Sequence, residues 1–290
     1  MPEGHSVHRI ARQFARHFEG VPVAVSSPQG RFAGDAAKLD GHAIVDARAV
    51  GKQMFLEFDH GLWLRVHLGL YGAWDFAGDI SIGGDGEASL SSIGAPRLTR
   101  LRMSEQEKVG DDLETFPPDP IGQVRVRLLT PTAVADLRGP TACEVQTADE
   151  VQATIDKLGP DPLVDDVTGG EERFTATVLK KQTPIALLLM DQSVISGIGN
   201  VFRAELLFRS RQNPFTPGRE VREEVVRELW RDWVRLLRIA FETGRMITMD
   251  EGTEHWVYKR AGEPCRVCGT AIAMEEIGGR KLYWCPKDQA

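Results

Sequence analysis

Near the start of the chain, apolar residues recur at intervals of three and four positions. This spacing is the period of one face of an α-helix. The residues that follow it are Val7, Ile10, Ala11, Phe14 and Phe18. The pattern therefore predicts a first helix that begins directly after Pro2 and Glu3 and holds them on a rigid element.

From about Val23 to Phe76 the pattern changes to one typical of β-strands. Residues 54–58 and 62–66 each form a short run of strand-favouring residues, and Asp59-His60-Gly61 between them is a turn sequence. Strand character returns at residues 124–129. These runs predict the antiparallel hairpins of a β-sandwich or barrel.

Helical patterns dominate the second half of the chain. Residues 185–190 predict a buried apolar helix, and residues 201–208 predict another after the Ser-Gly-Ile-Gly-Asn segment at 196–200. A long amphipathic helix follows, with its apolar side formed by Val225, Val226, Leu229, Trp233, Leu236 and Leu237. Arg227, Arg231 and Arg235 lie four apart with acidic residues interleaved, which favours a salt-bridged surface over a phosphate-binding one.

Two stretches interrupt these patterns. Residues 78–120 are rich in Gly, Ser, Pro and charge, which predicts a long mobile insertion. Residues 158–163, Leu-Gly-Pro-Asp-Pro-Leu, are typical of a linker. With 290 residues and 42% hydrophobic content, the chain can bury two cores.

These patterns predict an α+β protein. It would have an N-terminal β-sandwich domain with flanking helices over 1–150, a linker over 151–165, a helical domain over 166–250 and a terminal hairpin over 251–290.

The net charge of -7 is distributed unevenly. Residues 171–290 carry 19 basic and 17 acidic side chains, which leaves 16 and 25 in residues 1–170. An acidic total argues against a broadly basic surface but is compatible with a local basic groove. The sequence shows no secretory signal and no membrane-spanning run, so we expect a cytoplasmic protein without membrane contact.

Three of the four cysteines lie in the last 26 residues: Cys265, Cys268 and Cys285. A Cys-x-x-Cys pair followed after 16 residues by a second knuckle predicts a structural zinc site. Asp288 occupies the fourth position and can ligate zinc through oxygen. His255 is an alternative fourth ligand, and a degenerate finger without zinc is the third interpretation. The remote Cys143 is interpreted as an ordinary small buried side chain.

The first residues carry a distinct chemistry. Once Met1 is removed, Pro2 has a free secondary amine that can attack an electrophilic sugar carbon and form an iminium ion. The adjacent Glu3 can shuttle protons during that reaction. A small second residue such as proline permits removal of Met1. Met-Pro-Glu is also a common way for a chain to begin, so the rest of the sequence must supply the context.

Further motifs occur in order along the chain. They are Gly51-Lys52, His67-Leu68-Gly69-Leu70-Tyr71-Gly72, Leu158-Gly159-Pro160, Leu189-Met190-Asp191-Gln192, Gly197-Ile198-Gly199-Asn200, and Val257-Tyr258 ahead of the cysteine finger and Arg280. Together with the Pro2-Glu3-Gly4 start, the chain resembles the bacterial DNA glycosylase/AP lyase family that contains formamidopyrimidine-DNA glycosylase and endonuclease VIII. The resemblance spans nearly the whole chain and implies a helix-two-turn-helix domain with a zinc-finger hairpin.

The resemblance also implies a reaction. Pro2 would attack C1′ of a damaged nucleotide, and the Schiff base would lead to base loss and strand cleavage by β,δ-elimination. Glu3 would be the general acid/base. Lys52 would contact a phosphate and assist proton transfer, unless it is simply a solvated hairpin lysine.

DNA contacts follow from the same resemblance. Asn200, in the helix-two-turn-helix loop, and Arg280, in the finger hairpin, would grip the DNA backbone. Leu70 and Tyr71 resemble the intercalating residues of the endonuclease VIII branch, which favours oxidised pyrimidines as substrates. An apolar wedge lowers the cost of unstacking a base. The expected partner is damaged duplex DNA, with single-stranded DNA as a further substrate form, and the expected state is a monomer.

Four positions depart from the family pattern. Ser6 stands where the family usually has glutamate, and His5 replaces a proline. Gly69 stands where the endonuclease VIII branch carries a polar wedge, and Asp288 replaces the last finger cysteine. These departures leave two alternatives open: a damage-binding protein without catalysis, or an enzyme that acts on oxidised purines or on AP sites only.

Overall fold

A computed structural model of the chain describes residues 2–81, 99–104, 107–110, 115–249 and 255–290. The chain divides into two compact units, Met1–Asp156 and Lys157–Ala290. The first five residues of the predicted 151–165 linker are helical, because helix α3 of the first unit extends to Ile155.

The described residues of the first unit form three helices and ten strands. The helices are α1 (Gly4–His17), α2 (Ala33–Leu39) and α3 (Ala148–Ile155). The strands are β1 (Ala24–Ser26), β2 (Ile44–Val50), β3 (Gln53–Phe58), β4 (Leu62–His67), β5 (Ala73–Gly78), β6 (Thr99–Met103), β7 (Glu107–Val109), β8 (Val124–Leu129), β9 (Ala133–Arg138) and β10 (Ala142–Thr147).

Helix α1 confirms the prediction made from its apolar spacing. Val7, Ile10, Ala11 and Phe14 are all buried, as is Phe18 directly after the helix. The helix packs against β2 and β3. Basic residues in its last turn suit the negative end of the helix dipole. The apolar side of α1 therefore anchors the N-terminus to a sheet.

Two antiparallel sheets form the predicted sandwich. One has the strand order β1-β8-β9-β5-β6-β7, and the other has the order β10-β4-β3-β2. Along β8 the burial alternates, with Val124, Val126 and Leu128 inside. Leu56 of one sheet and Phe76 of the other belong to the same hydrophobic core. The hairpins predicted around 54–66 are confirmed by the antiparallel pairing of β3 with β4.

The structure corrects two expectations for this unit. Helix α2 interrupts the stretch predicted to form strands only. The predicted mobile insertion contains the strands β6 and β7, and β6 pairs with β5. The remainder of the Gly/Ser-rich stretch, 82–98, lies outside the described residues.

The second unit is mainly helical. Its helices are α4 (Val167–Val178), α5 (Ile185–Leu188), α6 (Asn200–Arg209) and α7 (Glu223–Thr243), with a 3₁₀ turn at Gly218–Glu220 and a terminal hairpin of β11 (Ala273–Ile277) and β12 (Arg280–Trp284). Helix α5 is a single turn, shorter than the predicted 185–190 helix. The Asp191 carboxylate accepts the Ser193 amide at 2.9 Å, which favours a turn there.

Helix α7 confirms both predictions made for it. Its apolar face lies in the core of the second unit. Arg227 and Arg231 both pair with Glu171, and Arg235 pairs with Asp232. The interpretation as a salt-bridged surface is therefore correct. Among the described helices, none is both long enough and apolar enough to cross a bilayer.

Candidate active site and DNA-binding residues

Pro2 and Glu3 lie buried at the beginning of helix α1. Glu3 is the N-cap, with extended backbone angles, and its side chain is 1% exposed. The Glu3 carbonyl accepts the Ser6 amide at 3.0 Å, which starts the helix. The residue that would carry the nucleophilic amine is thus followed directly by a buried carboxyl group on a rigid element.

Lys52 lies in the tight turn between β2 and β3, the two strands on which α1 packs. Gly51 before it has a φ of 58°, a conformation that glycine adopts easily. The Lys52 carbonyl accepts a hydrogen bond from His67 Nδ1 at 3.0 Å. Lys52 is 7% exposed. The interpretation of Lys52 as a solvated hairpin lysine is therefore wrong, because a lysine this deeply buried is rare without a specific role.

The two unusual residues of the first helical turn form a buried polar pair. His5 is 2% exposed and Ser6 is 5% exposed, and His5 Nε2 lies 3.2 Å from Ser6 Oγ. Burial, together with the neighbouring charges of Arg9 and His8, lowers the pKa of His5 to about 3. A neutral pair of side chains therefore stands where the family pattern has proline and glutamate.

Leu70 and Tyr71 project from the turn between β4 and β5. Leu70 is 42% exposed and Tyr71 is 85% exposed. Gly69 has a φ of 67°, and a Cβ at this position would collide with the Thr141 side chain. A side chain at position 69 would therefore need a strained backbone and a displaced Thr141, which gives the glycine a structural reason.

The loop before helix α6 is held by side chains of the second unit. Gln192 accepts the Gly197 amide at 3.0 Å and donates to the Ile198 carbonyl at 3.1 Å. The buried Ser196 hydroxyl donates to the Gly159 carbonyl at 2.7 Å. Gly159 is packed so closely against Val194 that a Cβ would collide with it. Several sequence motifs therefore form one braced loop that leads to Asn200.

Asn200 connects this loop to the terminal hairpin. It is the first residue of α6, and its side-chain amide donates to the Lys281 carbonyl at 2.9 Å. The buried Arg203 guanidinium donates to the same carbonyl at 3.2 Å and to the Asn200 side chain. Arg280 immediately precedes Lys281 at the start of β12, and it has no carboxylate partner within the described part of the chain. Two predicted DNA-binding residues are thus held close together.

Glu205 is a structural residue that the sequence reasoning missed. It is fully buried in α6 and accepts the Trp256, Val257 and Tyr258 amides at 2.8, 3.0 and 2.9 Å. It also accepts the Thr248 hydroxyl at 2.6 Å. The signal was available, since a carboxylate inside the apolar run 201–208 must have partners.

The four side chains predicted as metal ligands converge. One ligand atom from each of Cys265, Cys268, Cys285 and Asp288 lies within 4.8 Å of the others. The Sγ atoms of Cys268 and Cys285 are 3.5 Å apart, and Cys265 Sγ lies 3.0 Å from Asp288 Oδ2. Tetrahedral zinc would separate two sulfur ligands by about 3.8 Å and a sulfur and an oxygen ligand by about 3.6 Å. The arrangement therefore fits zinc after small shifts.

Backbone amides support the same cluster. The Val267 amide donates to Cys265 Sγ and the Asp288 amide donates to Cys285 Sγ, each at 3.4 Å. Such bonds favour the thiolate form that zinc requires. Burial raises the pKa of the Cys265 thiol to about 12, so zinc binding at neutral pH would displace a thiol proton.

The structure does not support His255 as the alternative fourth ligand. It does not belong to the four-residue cluster. Its Nδ1 lies 3.5 Å from the Thr248 hydroxyl, and its ring packs edge-on against Tyr258. His255 precedes Cys265 by ten residues, a spacing that made either ligand compatible with the sequence, and the chain path places Asp288 at the cluster instead.

Known proteins match these features across the chain. Residues 1–128 match the formamidopyrimidine-DNA glycosylase N-terminal domain, residues 158–251 match the H2TH domain of the same enzyme, and residues 262–290 match a zinc finger found in FPG and IleRS. The Endonuclease 8 1 proteins of Mycobacterium tuberculosis and Mycobacterium bovis are 39% identical over 99% of this chain and 98% of their own. The chain belongs to the formamidopyrimidine-DNA glycosylase and endonuclease VIII family.

Solved structures of this family share the fold. The Lactococcus lactis Fpg bound to abasic-site DNA superimposes with a TM-score of 0.73 at 19% identity, covering 99% of both chains. The Thermus thermophilus MutM (Fpg) protein gives 0.71 at 24% identity, covering 99% of this chain and 98% of its own. The predicted combination of sheets, helix-two-turn-helix domain and zinc-finger hairpin is therefore confirmed, and the cysteine cluster belongs to an Fpg-type zinc finger.

Proposed function

We propose that this protein is a base excision repair DNA glycosylase with AP lyase activity, and that the amine of Pro2 is its nucleophile. Family membership over the whole chain carries the proposal. The burial of Pro2 and Glu3 at the beginning of α1 supports it.

The chemistry follows from these residues. After Met1 is removed, the Pro2 nitrogen attacks C1′ of the damaged nucleotide, the bond from C1′ to the base breaks, and the base leaves with the bonding electrons and takes up a proton. The nitrogen then loses its proton, and the C1′–O4′ bond breaks as O4′ takes up a proton, so the opened sugar carries an iminium ion that withdraws electrons from it. Loss of a proton from C2′ then expels the 3′ phosphate, and a second elimination expels the 5′ phosphate. Glu3, next to the nucleophile, moves protons during ring opening and elimination.

The remaining residues position the DNA. Lys52 contributes a cation beside the reacting nucleotide and pairs with a phosphate. Asn200 and Arg280, joined through the Lys281 carbonyl, hold the backbone around the lesion. Leu70 and Tyr71 are exposed apolar side chains on one turn, and they fill the space left by the extruded nucleotide.

Oxidised pyrimidines are the substrate class that we propose. Relatives that match over nearly the whole chain are called Endonuclease 8 1, whereas the formamidopyrimidine-DNA glycosylase of Rippkaea orientalis matches over 50% of this chain. The exposed Leu70-Tyr71 pair supports the same choice. We further propose that the protein acts as a monomer on duplex DNA, in the cytoplasm and at the nucleoid.

Borohydride trapping tests the nucleophile. Protein from which Met1 has been removed is incubated with duplexes that carry thymine glycol, 8-oxoguanine or an abasic site, and covalent adducts are counted by gel and mass spectrometry. We expect adducts with thymine glycol and abasic DNA. Protein that retains one residue before Pro2 should give none, because its Pro2 nitrogen is an amide, and Pro2→Gly should trap poorly.

The same experiment separates the alternatives. Adducts with 8-oxoguanine DNA alone, or with abasic DNA alone, would replace the pyrimidine assignment by a purine or AP-site enzyme. Tight binding to every damaged duplex without any adduct would instead make the protein a damage-binding family member. Glu144→Gln, an exposed change on β10, serves as the control that should trap like the wild type.

A further inference from the structure

The outward face of the six-stranded sheet carries a pocket of about 210 Å³. Phe76 of β5 and Leu101 of β6 lie in the hydrophobic core. Side chains alternate along a strand, so the residues next to these two point away from the core. The pocket lies on that outward side, between β5, β6, β7 and β9 and the segment 118–121.

Three cations line one wall of the pocket. Arg102 lies opposite Lys108 in the pairing of β6 with β7, and Arg100 lies two residues before Arg102 on the same face. A Cβ at Gly110 would lie 3.1 Å from Arg100 Cβ, so the glycine leaves room for the arginine side chain. We call Arg100, Arg102 and Lys108 the cationic cluster.

Two carboxylates on this face are already engaged by other arginines. Arg138 Nε donates to Asp75 at 2.7 Å, whereas Arg102 Nε is 3.9 Å from the same carboxylate. Arg127 donates to both oxygens of Asp136 at 2.7 and 2.8 Å. A carboxylate in such a two-bond pair has little capacity left for a second cation. Asp75 and Asp136 therefore do not neutralise the cationic cluster.

The pocket keeps an excess of positive charge for this reason. Asp119, which is exposed, is the remaining acidic residue of the lining. Arg100 and Lys108 have no carboxylate partner within the described ranges. Three neighbouring cations thus face the pocket with one carboxylate available to them, an arrangement that attracts an anion.

The base of the pocket is apolar, and its cover is held in place. Ala77 and Val134 pair across β5 and β9 and line the pocket with 6% and 1% of their surface exposed. The Pro118 carbonyl accepts a hydrogen bond from Arg127 Nη2 at 2.9 Å. The ion pair of Arg127 therefore also fixes the segment that closes the pocket on one side.

We propose that this pocket binds a small organic phosphate of the nucleoside monophosphate kind. Its phosphate pairs with the cationic cluster, because guanidinium and ammonium groups both donate strongly to phosphate oxygens. Its sugar or base covers Ala77 and Val134, as the body of a ligand covers the apolar part of a pocket. Inorganic phosphate would leave this apolar base uncovered, and a nucleoside would leave the cations without a partner.

The pocket is separate from the residues proposed for catalysis. Glu107 accepts a hydrogen bond at 2.9 Å from Arg9 of α1, the helix that carries Pro2. Lys108 is the next residue of β7, so it points to the opposite face of the strand. Lys52 belongs to a turn of the other sheet. Ligand binding in the pocket therefore does not require the glycosylase chemistry proposed above.

Calorimetric titration of the full-length protein with thymidine 5′-monophosphate tests the proposal. A duplex that carries a tetrahydrofuran abasic analogue is present in excess, so that the DNA-binding residues are occupied. We expect one nucleotide per chain, weaker binding of inorganic phosphate and no binding of thymidine. The double variant Arg100→Gln/Lys108→Gln should bind the nucleotide at least about tenfold more weakly, because two charged contacts are lost.

A matched double variant controls for the change in net charge. Lys180→Gln/Arg238→Gln removes the same charge from two exposed positions of the second unit and should bind the nucleotide like the wild type. Both double variants should trap abasic DNA with borohydride like the wild type, so failure of this proposal leaves the glycosylase proposal standing.

Three results would overturn the proposal. The first is no binding of thymidine monophosphate, or an equal loss of affinity in the two double variants. The second is binding that the excess duplex abolishes, because the nucleotide would then occupy the DNA-binding residues. The third is binding of a 5′-phosphorylated single strand without binding of the mononucleotide, which would assign the cationic cluster to DNA ends.

Discussion

Two buried titratable side chains show how single residues affect the stability of this protein. His5 is enclosed in the first turn of α1 and stays neutral, because burial lowers its pKa to about 3. Glu205 is enclosed in α6 and is surrounded by hydrogen-bond donors. A proton gained at His5, or the loss of the Glu205 acceptor by substitution, should therefore lower the free energy of unfolding.

His5 predicts a loss of stability in acid. Below its ordinary pKa of 6.5 the unfolded chain takes up a proton at His5, whereas the folded protein does not until pH approaches 3. The free energy of unfolding therefore falls as the pH is lowered from 6.5 towards 3, by up to about 1.4 kcal/mol per pH unit from this residue. His5→Gln should lose that part of the slope in urea unfolding measured at pH 7 and pH 5. If the free energy of unfolding changed equally with pH in the wild type and in His5→Gln, the prediction would be wrong.

Replacing Glu205 should lower the stability of the fold by more than the loss of its charge alone would. Glu205→Gln keeps the shape but turns an amide NH₂ towards backbone donors, which should cost about 3 kcal/mol in the free energy of unfolding. Urea denaturation of the full chain measures it. The control is Glu263→Gln, whose solvent-exposed carboxylate pairs with Arg260 and should contribute less than about 1 kcal/mol. Similar losses in both variants would remove the special role of Glu205.

The terminal hairpin is the element on which two predicted functions depend. The β11–β12 turn contains Gly278 and Gly279, both with positive φ, and β12 begins at Arg280 and leads directly to the knuckle at Cys285. Zinc binding and the position of Arg280 are therefore properties of one short element.

Asp288→Cys should tighten zinc binding. Zinc prefers a fourth thiolate to a carboxylate in structural sites, and Asp288 already lies within ligand distance of the three sulfurs. Competition with a chromophoric chelator should show zinc released more slowly and at higher chelator concentration from the variant. Asp288→Ala should release zinc more readily than the wild type. If Asp288→Ala held zinc as tightly, Asp288 would not be a ligand.

Arg280 should contribute one phosphate contact. Arg280→Ala should weaken binding to abasic duplexes of any sequence and reduce the slope of log K against log salt by about 0.9. Arg280→Lys should keep the slope, because the charge is retained. Fluorescence anisotropy at several salt concentrations measures both. A slope unchanged in Arg280→Ala would place this residue outside the DNA contact.

At the scale of the whole molecule, the residues proposed for catalysis belong to one unit and the zinc-finger residues belong to the other. Pro2, Glu3 and Lys52 belong to Met1–Asp156, and every residue of the cysteine cluster belongs to Lys157–Ala290. The acidic excess also lies in the first 170 residues. The net charge of -7 is thus no guide to the charge near Arg280.

Removal of the finger zinc should affect one unit. With a strong chelator, amide hydrogen exchange should rise in residues 255–290 and in α6, whose Asn200 and Glu205 bond to that segment. Exchange in α1, β2 and β3 should not change, because none of their residues belongs to the cysteine cluster. Mass spectrometry of peptic peptides resolves these segments. Increased exchange throughout both units would show that the chain responds as a whole.

The sequence alone was enough to predict elements with a regular hydrophobic period and residues whose reactive groups few other residue types supply. Helical spacing in α1 and α7 and alternation in β8 are local properties, so their elements were predicted from the residues alone. The Pro2 amine and the three cysteines were visible because few other residue types supply a nucleophilic secondary amine or a thiolate.

Only the tertiary structure decided what depends on distant contacts. The sequence left Asp288 and His255 open as ligands, left Lys52 open between a phosphate-contacting residue and a solvated hairpin lysine, and offered no reason for Gly69. The structure places the Asp288 carboxylate beside the three cysteines, buries Lys52 and puts the Thr141 side chain against Gly69. It also sets His42 beside His60 and Glu205 beside residues 256–258. Local patterns fix which elements form, whereas the path of the chain fixes which side chains share a site.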